Sequence, residues 1–231
     1  MKFKAISLAL CLGIVVSGCN NLQKGAGIGA AGGAVIGGII GKIAGNTAIG
    51  AAVGAAVGTG AGALIGRKMD KVKEQAQQIQ NAQVETVQDA NNLQAVKVTF
   101  DSGILFTTGS ANLSDKSKTS LSELARVLKT NTDCDVAIQG YTDNQGWKNA
   151  TAAQSVEKNK ALSLDRAGAV SAYLQTLGVS TKQLKSVEGL GEANPVADNA
   201  TAAGQAQNRR VEVYLYASQE MIQQAEAGTL Q

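Results

Sequence analysis

The chain has 231 residues, 21 Lys and Arg against 18 Asp and Glu, a formal net charge of +3, and only 3% aromatic residues. Charge this close to balance, closer still once Lys2 and Lys4 are set aside, argues against nucleic acid as a partner. With no histidine, and with Cys11, Cys19 and Cys134 at no metal-ligand spacing, no metal site, cofactor or Ser/His/Asp triad of the usual form is expected.

Lys2 and Lys4 precede an apolar run from Ala5 to Val16, too short to span a bilayer and of signal-peptide length. The run ends in Val16, Ser17, Gly18 and Cys19, which resembles the lipobox of bacterial lipoproteins. That resemblance implies removal of residues 1–18 as a signal peptide and acylation of Cys19, with 19–24 as the lipidated N-terminus. A Sec signal that happens to contain a cysteine is the alternative. Acyl chains contribute about 0.8 kcal/mol per buried CH₂, and more than one is needed for a stable anchor. Asn20 and Asn21 follow the cysteine, and the lack of an aspartate there resembles the pattern sorted to the outer membrane, with the C-terminal domain in the periplasm. Processing would leave Cys134 alone, so no intramolecular disulfide is expected.

Gly25, Gly29, Gly33, Gly37, Gly41 and Gly45 recur every fourth residue, and the spacing resumes at Gly50, Gly54, Gly58, Gly62 and Gly66. Period four lays each set along one helical stripe. Glycine costs about 1 kcal/mol per residue in a solvated helix, so such helices need close backbone packing or a membrane. The block resembles the glycine-zipper segments of envelope lipoproteins, and each arm matches a hydrocarbon core of roughly 30 Å. A helical hairpin over 25–66, inserted in the membrane, is expected. Lys42, its only charge, can snorkel to the interface. A flexible linker is the competing reading, opposed by the interleaved Ile, Val and Ala. A phosphate loop is rejected: no strand precedes Gly27 to Gly32, and Gly41, Lys42, Ile43 lacks the hydroxyl residue.

From Arg67 to Gln94 the chain turns polar, with Met69, Val72, Ala76 and Ile79 at helical spacing. This predicts a spacer helix over 67–94 with a narrow apolar stripe, about 40 Å long. A solvated spacer is preferred, and a coiled-coil partner is the alternative.

Residues 95–217 read as the folded domain. Val96, Val98 and Phe100 alternate as a strand, with Ile104 to Phe106 as a hairpin partner. Leu113, Leu121, Leu124, Ala125 and Leu128 have helical spacing, and Val136 and Ile138 before Gly140 give a second strand. Leu162 through Val170 to Leu177 is a second helix, and Leu184 to Glu188 and Val211 to Tyr216 are closing strands. The order predicts an α+β fold, a mixed sheet covered by helices on one face, with 218–231 as a C-terminal tail.

Three separated motifs lie in this region: Gly140, Tyr141, Thr142, Asp143 with Gly146; Asn159, Leu162, Ser163, Arg166, Ala167; and Gly189, Gly191, Glu192, Pro195 with Asn208, Arg209, Arg210, Val211. Together they resemble the OmpA-like C-terminal domain shared with peptidoglycan-associated lipoprotein. The resemblance implies non-covalent binding of peptidoglycan, with Asp143 and Arg166 holding the diaminopimelate of its stem peptide. Thr142 and Asn159 match positions that line the same pocket, and Arg209 is either a rim residue or structural. The residue types suit the task, because a carboxylate receives an ammonium and a planar guanidinium grips a carboxylate with two parallel hydrogen bonds. Outside that context Asp143 reads as a turn residue bonding its own backbone and Arg166 as a helix-surface cation.

Two departures from the family pattern stand out. The interval between Asp143 and Arg166 is longer than usual, implying a lengthened loop around Trp147 to Val156. Thr107 and Gly109 replace the usual Asp and Asn after the first strand, so side-chain contacts from that loop are expected to be lost. The expected function is an envelope lipoprotein that anchors the outer membrane to peptidoglycan. The alternative is a glycine-zipper membrane homo-oligomer, a pore or assembly factor located by wall binding. An enzyme acting on the wall is disfavoured, since Asp143 with Glu157 is the only nearby pair of carboxylates.

Overall fold

The computed structural model describes residues 60–89, 93–106 and 109–230. The signal segment, Cys19, the glycine repeat from Gly25 to Gly58 and Thr107 lie outside the described residues. In chain order the elements are α1 (Ala61–Ala76), β1 (Ala82–Gln88), β2 (Gln94–Asp101), α2 (Ser102–Leu105), α3 (Asp115–Thr130), β3 (Cys134–Gly140), α4 (Ala152–Thr176), β4 (Leu184–Gly189), α5 (Ala202–Asn208), β5 (Arg210–Ala217) and α6 (Gln219–Glu226).

The five strands form one sheet in the order β1-β2-β5-β3-β4. Its pairs are antiparallel except β3 with β4. A parallel neighbour cannot be reached by a tight turn, and the long helix α4 supplies the crossover. Alternation divides the sheet into two faces. Val96, Val98, Phe100, Val136, Ile138, Val211, Val213 and Leu215 point into one core with Leu121, Leu124 and Leu128 of α3, Val170 and Leu174 of α4, and Met221 of α6. The opposite face carries a small separate cluster of Ala95, Ala137, Tyr214 and Tyr216. The helices therefore cover one face of a mixed sheet, the α+β arrangement that the hydrophobic pattern predicts. Cys134 lies in the core, and burial pushes its thiol up to about 12, so it is no reactive site.

The structure corrects the expectations at five places. The spacer helix predicted over 67–94 ends at Ala76, and 82–88 form the edge strand β1, paired with β2 along its full length. The apolar stripe of α1 is not solvated: Ile65, Met69, Val72 and Ala76 are fully buried against the domain. Asn131 Nδ2 donates to Gln75 Oε1 at 2.7 Å, and Lys68 pairs with Asp133 at 3.1 Å, fixing the helix to the end of α3 and the start of β3. The last turn of the hairpin predicted over 25–66 also belongs to α1, because Ala61 and Ile65 enter the same core.

Ile104 to Phe106 form no hairpin strand. Asp101 accepts the Gly103 N–H at 2.6 Å and starts the single turn α2, so Phe106 makes only an isolated bridge to Leu113. The predicted tail 218–231 contains α6, capped by Ser218 and burying Met221, Ile222 and Ala225. Finally, α4 starts well before Leu162, at a capping box in which Thr151 and Gln154 satisfy each other's backbone N–H groups. Among the described residues no helix is long and apolar enough to cross a membrane.

If α1 is part of the domain, Met69→Ala removes a fully buried side chain and should cost about 2–5 kcal/mol in urea denaturation of the full chain. A change near zero would mean that the stripe is solvated after all.

Candidate ligand-binding cleft

The cleft exists because α4 lies unusually close to the sheet. A Cβ on Gly140, at the end of β3, would stand 2.0 Å from the Ser163 carbonyl oxygen, and one on Gly189, at the end of β4, would stand 2.3 Å from the Leu164 nitrogen. Only glycine permits that approach. Ser163 fills the crossing point, its hydroxyl accepting the Gly191 N–H at 2.9 Å. Asn159 and Arg166 lie one turn before and roughly one turn after Ser163, on the same helix face. Both are carried down to the strand ends and buried there.

The strand ends are themselves laced together. Tyr141 N–H donates to Arg210 O at 2.9 Å, Thr142 N–H to Gly191 O at 2.8 Å, and Leu190 N–H to Gly140 O at 3.0 Å. Asn208 acts as a latch, accepting from Val196 N at 2.7 Å and Ala197 N at 3.0 Å. The three sequence motifs thus converge on one point of the fold. Between them opens a cavity of about 270 Å³, lined by Gly109, Thr142, Asp143, Trp147, Asn159, Arg166 and Arg209 among others. All five side chains singled out from the sequence lie on its wall.

Their environments differ. Asp143 Oδ2 accepts from Arg209 Nη1 at 2.5 Å, and Oδ1 accepts from the Gln145 backbone N–H at 3.2 Å. Arg166, only 5% exposed, has no carboxylate partner among the described residues. Its Nε donates to Ser110 O at 3.1 Å, and its guanidinium lies 5.3 Å from the centre of the Phe106 ring. Burial and the neighbouring Arg209 hold its pKa below the ordinary guanidinium value, against the opposing pull of Asp143. Among the described residues, the loop after β2 contributes a backbone carbonyl and a ring. Thr142 Oγ1 is buried with no hydrogen-bond partner among the described residues.

Asn159 has its polar atoms committed internally: Nδ2 donates to Gln145 O at 3.1 Å and Oδ1 accepts from Trp147 Nε1 at 2.8 Å. Of the arginine pair, Arg209 enters the cleft, whereas Arg210 turns to the other face of the sheet, bonding Glu212 at 2.7 Å and stacking 3.8 Å from the Tyr141 ring. Sequence reasoning missed Trp147, Lys148 and Gln145 on the wall. The signal available for the first was its standing as the only tryptophan of the chain, placed in a polar loop. Asp143 is the one carboxylate among the residues named along the cleft, and Glu157 is exposed and outside it.

In sum, the cleft presents one anion already shared with one cation, a second cation that is buried and unpaired, and an orphan hydroxyl. Such a site attracts a group with a carboxylate, and it has a place for an ammonium at Asp143.

Residues 105–209 match the family model described as OmpA family, and residues 1–70 match that of the YMGG-like Gly-zipper. The chain is 41% identical over 118 residues to the probable lipoprotein YiaD of Escherichia coli, a match covering 51% of this chain and 47% of that protein. It is 38% identical over 119 residues to the peptidoglycan-binding protein ArfA of Mycobacterium tuberculosis, covering 52% of this chain and 34% of that one. The chain thus spans less than half the length of these relatives. The solved cell wall anchor of the T6SS from Pseudomonas aeruginosa superposes with a TM-score of 0.51 at 28% identity, over 65% of this chain and 97% of that one.

The close contact that shapes the cleft can be tested on two glycines of opposite character. Gly140→Ala should cost about 1–3 kcal/mol or more, since the helix must lift from the sheet. Gly168→Ala, on α4 with open space at its Cβ, should stabilise by about 1 kcal/mol. Denaturation of both variants checks the contrast, and equal effects would contradict it. The helix-on-strand contact and the converging glycine, aspartate and arginine motifs lie in the stretch, residues 105–209, that matches the OmpA family model, in a chain whose first 70 residues match the glycine-zipper model.

Proposed function

We propose that this chain anchors the outer membrane to peptidoglycan, with Asp143, Arg166 and Arg209 capturing the zwitterionic end of a diaminopimelate residue in the stem peptide. Cys19 carries the lipid, the glycine-rich segment adds contact with the membrane, and the domain built on α1 to α6 binds the wall from the periplasm. The single observation that supports this reading most is the buried Arg166 with no carboxylate partner among the described residues. A buried charge without a partner costs several kcal/mol, and a fold retains one most readily where a ligand supplies the counter-charge.

In the complex, the ligand carboxylate bridges Arg166 and Arg209, while the ligand ammonium takes the place of Arg209 at one oxygen of Asp143. Thr142 Oγ1, on the same wall and without a partner among the described residues, gains one from the ligand. Loss of one member of a buried, hydrogen-bonded charge pair typically costs 2–5 kcal/mol of binding free energy, on the order of a thirtyfold loss or more.

The test uses the full chain in detergent and isolated sacculi. The wild-type protein should sediment with sacculi, and Asp143→Ala and Arg166→Ala should not. Arg166→Met adds a control for folding: it should abolish sedimentation while leaving the denaturation midpoint unchanged or raised, because an unpaired buried charge has been replaced by an apolar side chain. Sedimentation of all three variants at the wild-type level would reject the assigned site.

A further inference from the structure

The cleft is small. At about 270 Å³, with Trp147 and Lys148 counted in its wall, it falls below the roughly 300 to 1,000 Å³ of ordinary ligand pockets, so it takes one residue-sized group and leaves the rest of a larger ligand on the rim. One side of that rim is the loop between β3 and α4, and its prominent feature is Trp147.

Trp147 is held with unusual firmness for an exposed side chain. Its backbone N–H donates to Ser155 Oγ at 3.0 Å and its indole Nε1–H donates to Asn159 Oδ1 at 2.8 Å, so two successive turns of α4 fix it. Asn159 also donates to Gln145 O at 3.1 Å, tying the loop on the near side of the indole. Yet the side chain remains 37% exposed. With its only side-chain donor consumed, what Trp147 offers a ligand is its aromatic surface. The Lys158 ammonium lies 5.7 Å from the ring centre, and Lys148 and Gln145 line the cleft nearby.

A rigid apolar plate ringed by hydrogen-bonding groups suits a ligand with the complementary character, an apolar face and a polar perimeter. A pyranose ring has this form, with C–H groups on one face and hydroxyl or acetamido groups at the edge. A purely aliphatic or aromatic ligand would instead bury Lys148 and Gln145 against carbon. We infer that Trp147 forms a carbohydrate subsite, stacking on an amino-sugar of the glycan strand while the stem peptide fills the charged cleft. This rests on the proposed wall-binding reading and extends it from the peptide to the sugar. It also gives the lengthened loop a purpose and assigns Asn159 to positioning Trp147.

The experiment compares two probes on the full chain in detergent: a stem tripeptide containing diaminopimelate, and the same tripeptide carrying its N-acetylglucosamine–N-acetylmuramic acid disaccharide. Trp147 is the only tryptophan, so its fluorescence reports on this ring alone. The disaccharide probe should bind about tenfold more tightly, the order expected for one aromatic stack, and it should shift the emission beyond the shift that the bare peptide gives. Trp147→Ala should bring the affinity ratio of the two probes close to one, and Trp147→Phe should retain most of it. A wild-type ratio of one, or a ratio that survives Trp147→Ala, overturns the subsite while leaving peptide binding standing. Equal weakening of both probes by Trp147→Ala also overturns it, since the ring would then only shape the charged cleft. Failure of the wild type to bind either probe overturns the wall-binding reading along with the subsite.

Discussion

The backbone of α4 rests directly on two glycines at the ends of adjacent parallel strands, and the geometry of the cleft follows from that contact. A helix at ordinary distance from a sheet would leave Arg166 and Asn159 as long polar side chains at the edge of the layer. Pressed onto Gly140 and Gly189, the helix instead delivers them below the surface, where the loops after β3 and β4 and the start of β5 close around them. Ser163, the small residue between them, completes the contact by accepting a backbone N–H from Gly191. The fold therefore prepares the cleft before any ligand arrives, and the ordering entropy of these side chains has been met on folding.

Electrostatics then divides labour among three charged groups. Asp143 and Arg209 satisfy each other at 2.5 Å, whereas Arg166 leans on a carbonyl and a ring, neither of which carries opposite charge. With the Asp143–Arg209 pair neutral and Lys148 exposed on the wall, the buried excess is the one positive charge of Arg166, in a setting where water compensates poorly. The lengthened loop adds a second theme, since its tryptophan is pinned at both its backbone and its indole nitrogen. The apolar stripe of α1 binds that helix to the core, so residues 61–76 belong to the domain.

Much of this was legible in the sequence because the relevant signals are local. The central strands β2, β3 and β5 show clean alternation at positions such as Val96, Val98 and Phe100, and the motif glycines, Asp143 and Arg166 point to one another through their resemblance to a known pattern. What stayed hidden depended on tertiary context. β1 is a half-exposed edge strand whose outward Gln83 and Glu85 and weakly buried Val84 leave almost no period to read. The stripe of α1 runs on through Ile79, which is buried, so the end of the helix at Ala76 was masked. Ile104 and Leu105 looked like strand, yet the Asp101 cap turns them into helix. In the cleft, residue types alone told neither that Arg209 already occupies Asp143 nor that Asn159 is spent on holding Trp147.

The central claim is that Arg166 awaits a ligand carboxylate, and its side-chain Nε–Hε resonance in nuclear magnetic resonance spectra observes that group directly. Two tripeptides should be titrated into the full chain in detergent, one with diaminopimelate and one with lysine in its place, which keeps the ammonium and lacks the second carboxylate. The account predicts a progressive shift of the Arg166 resonance with the diaminopimelate peptide and little response to the lysine peptide at the same concentration. An equal response to both, or none to the first, would contradict it.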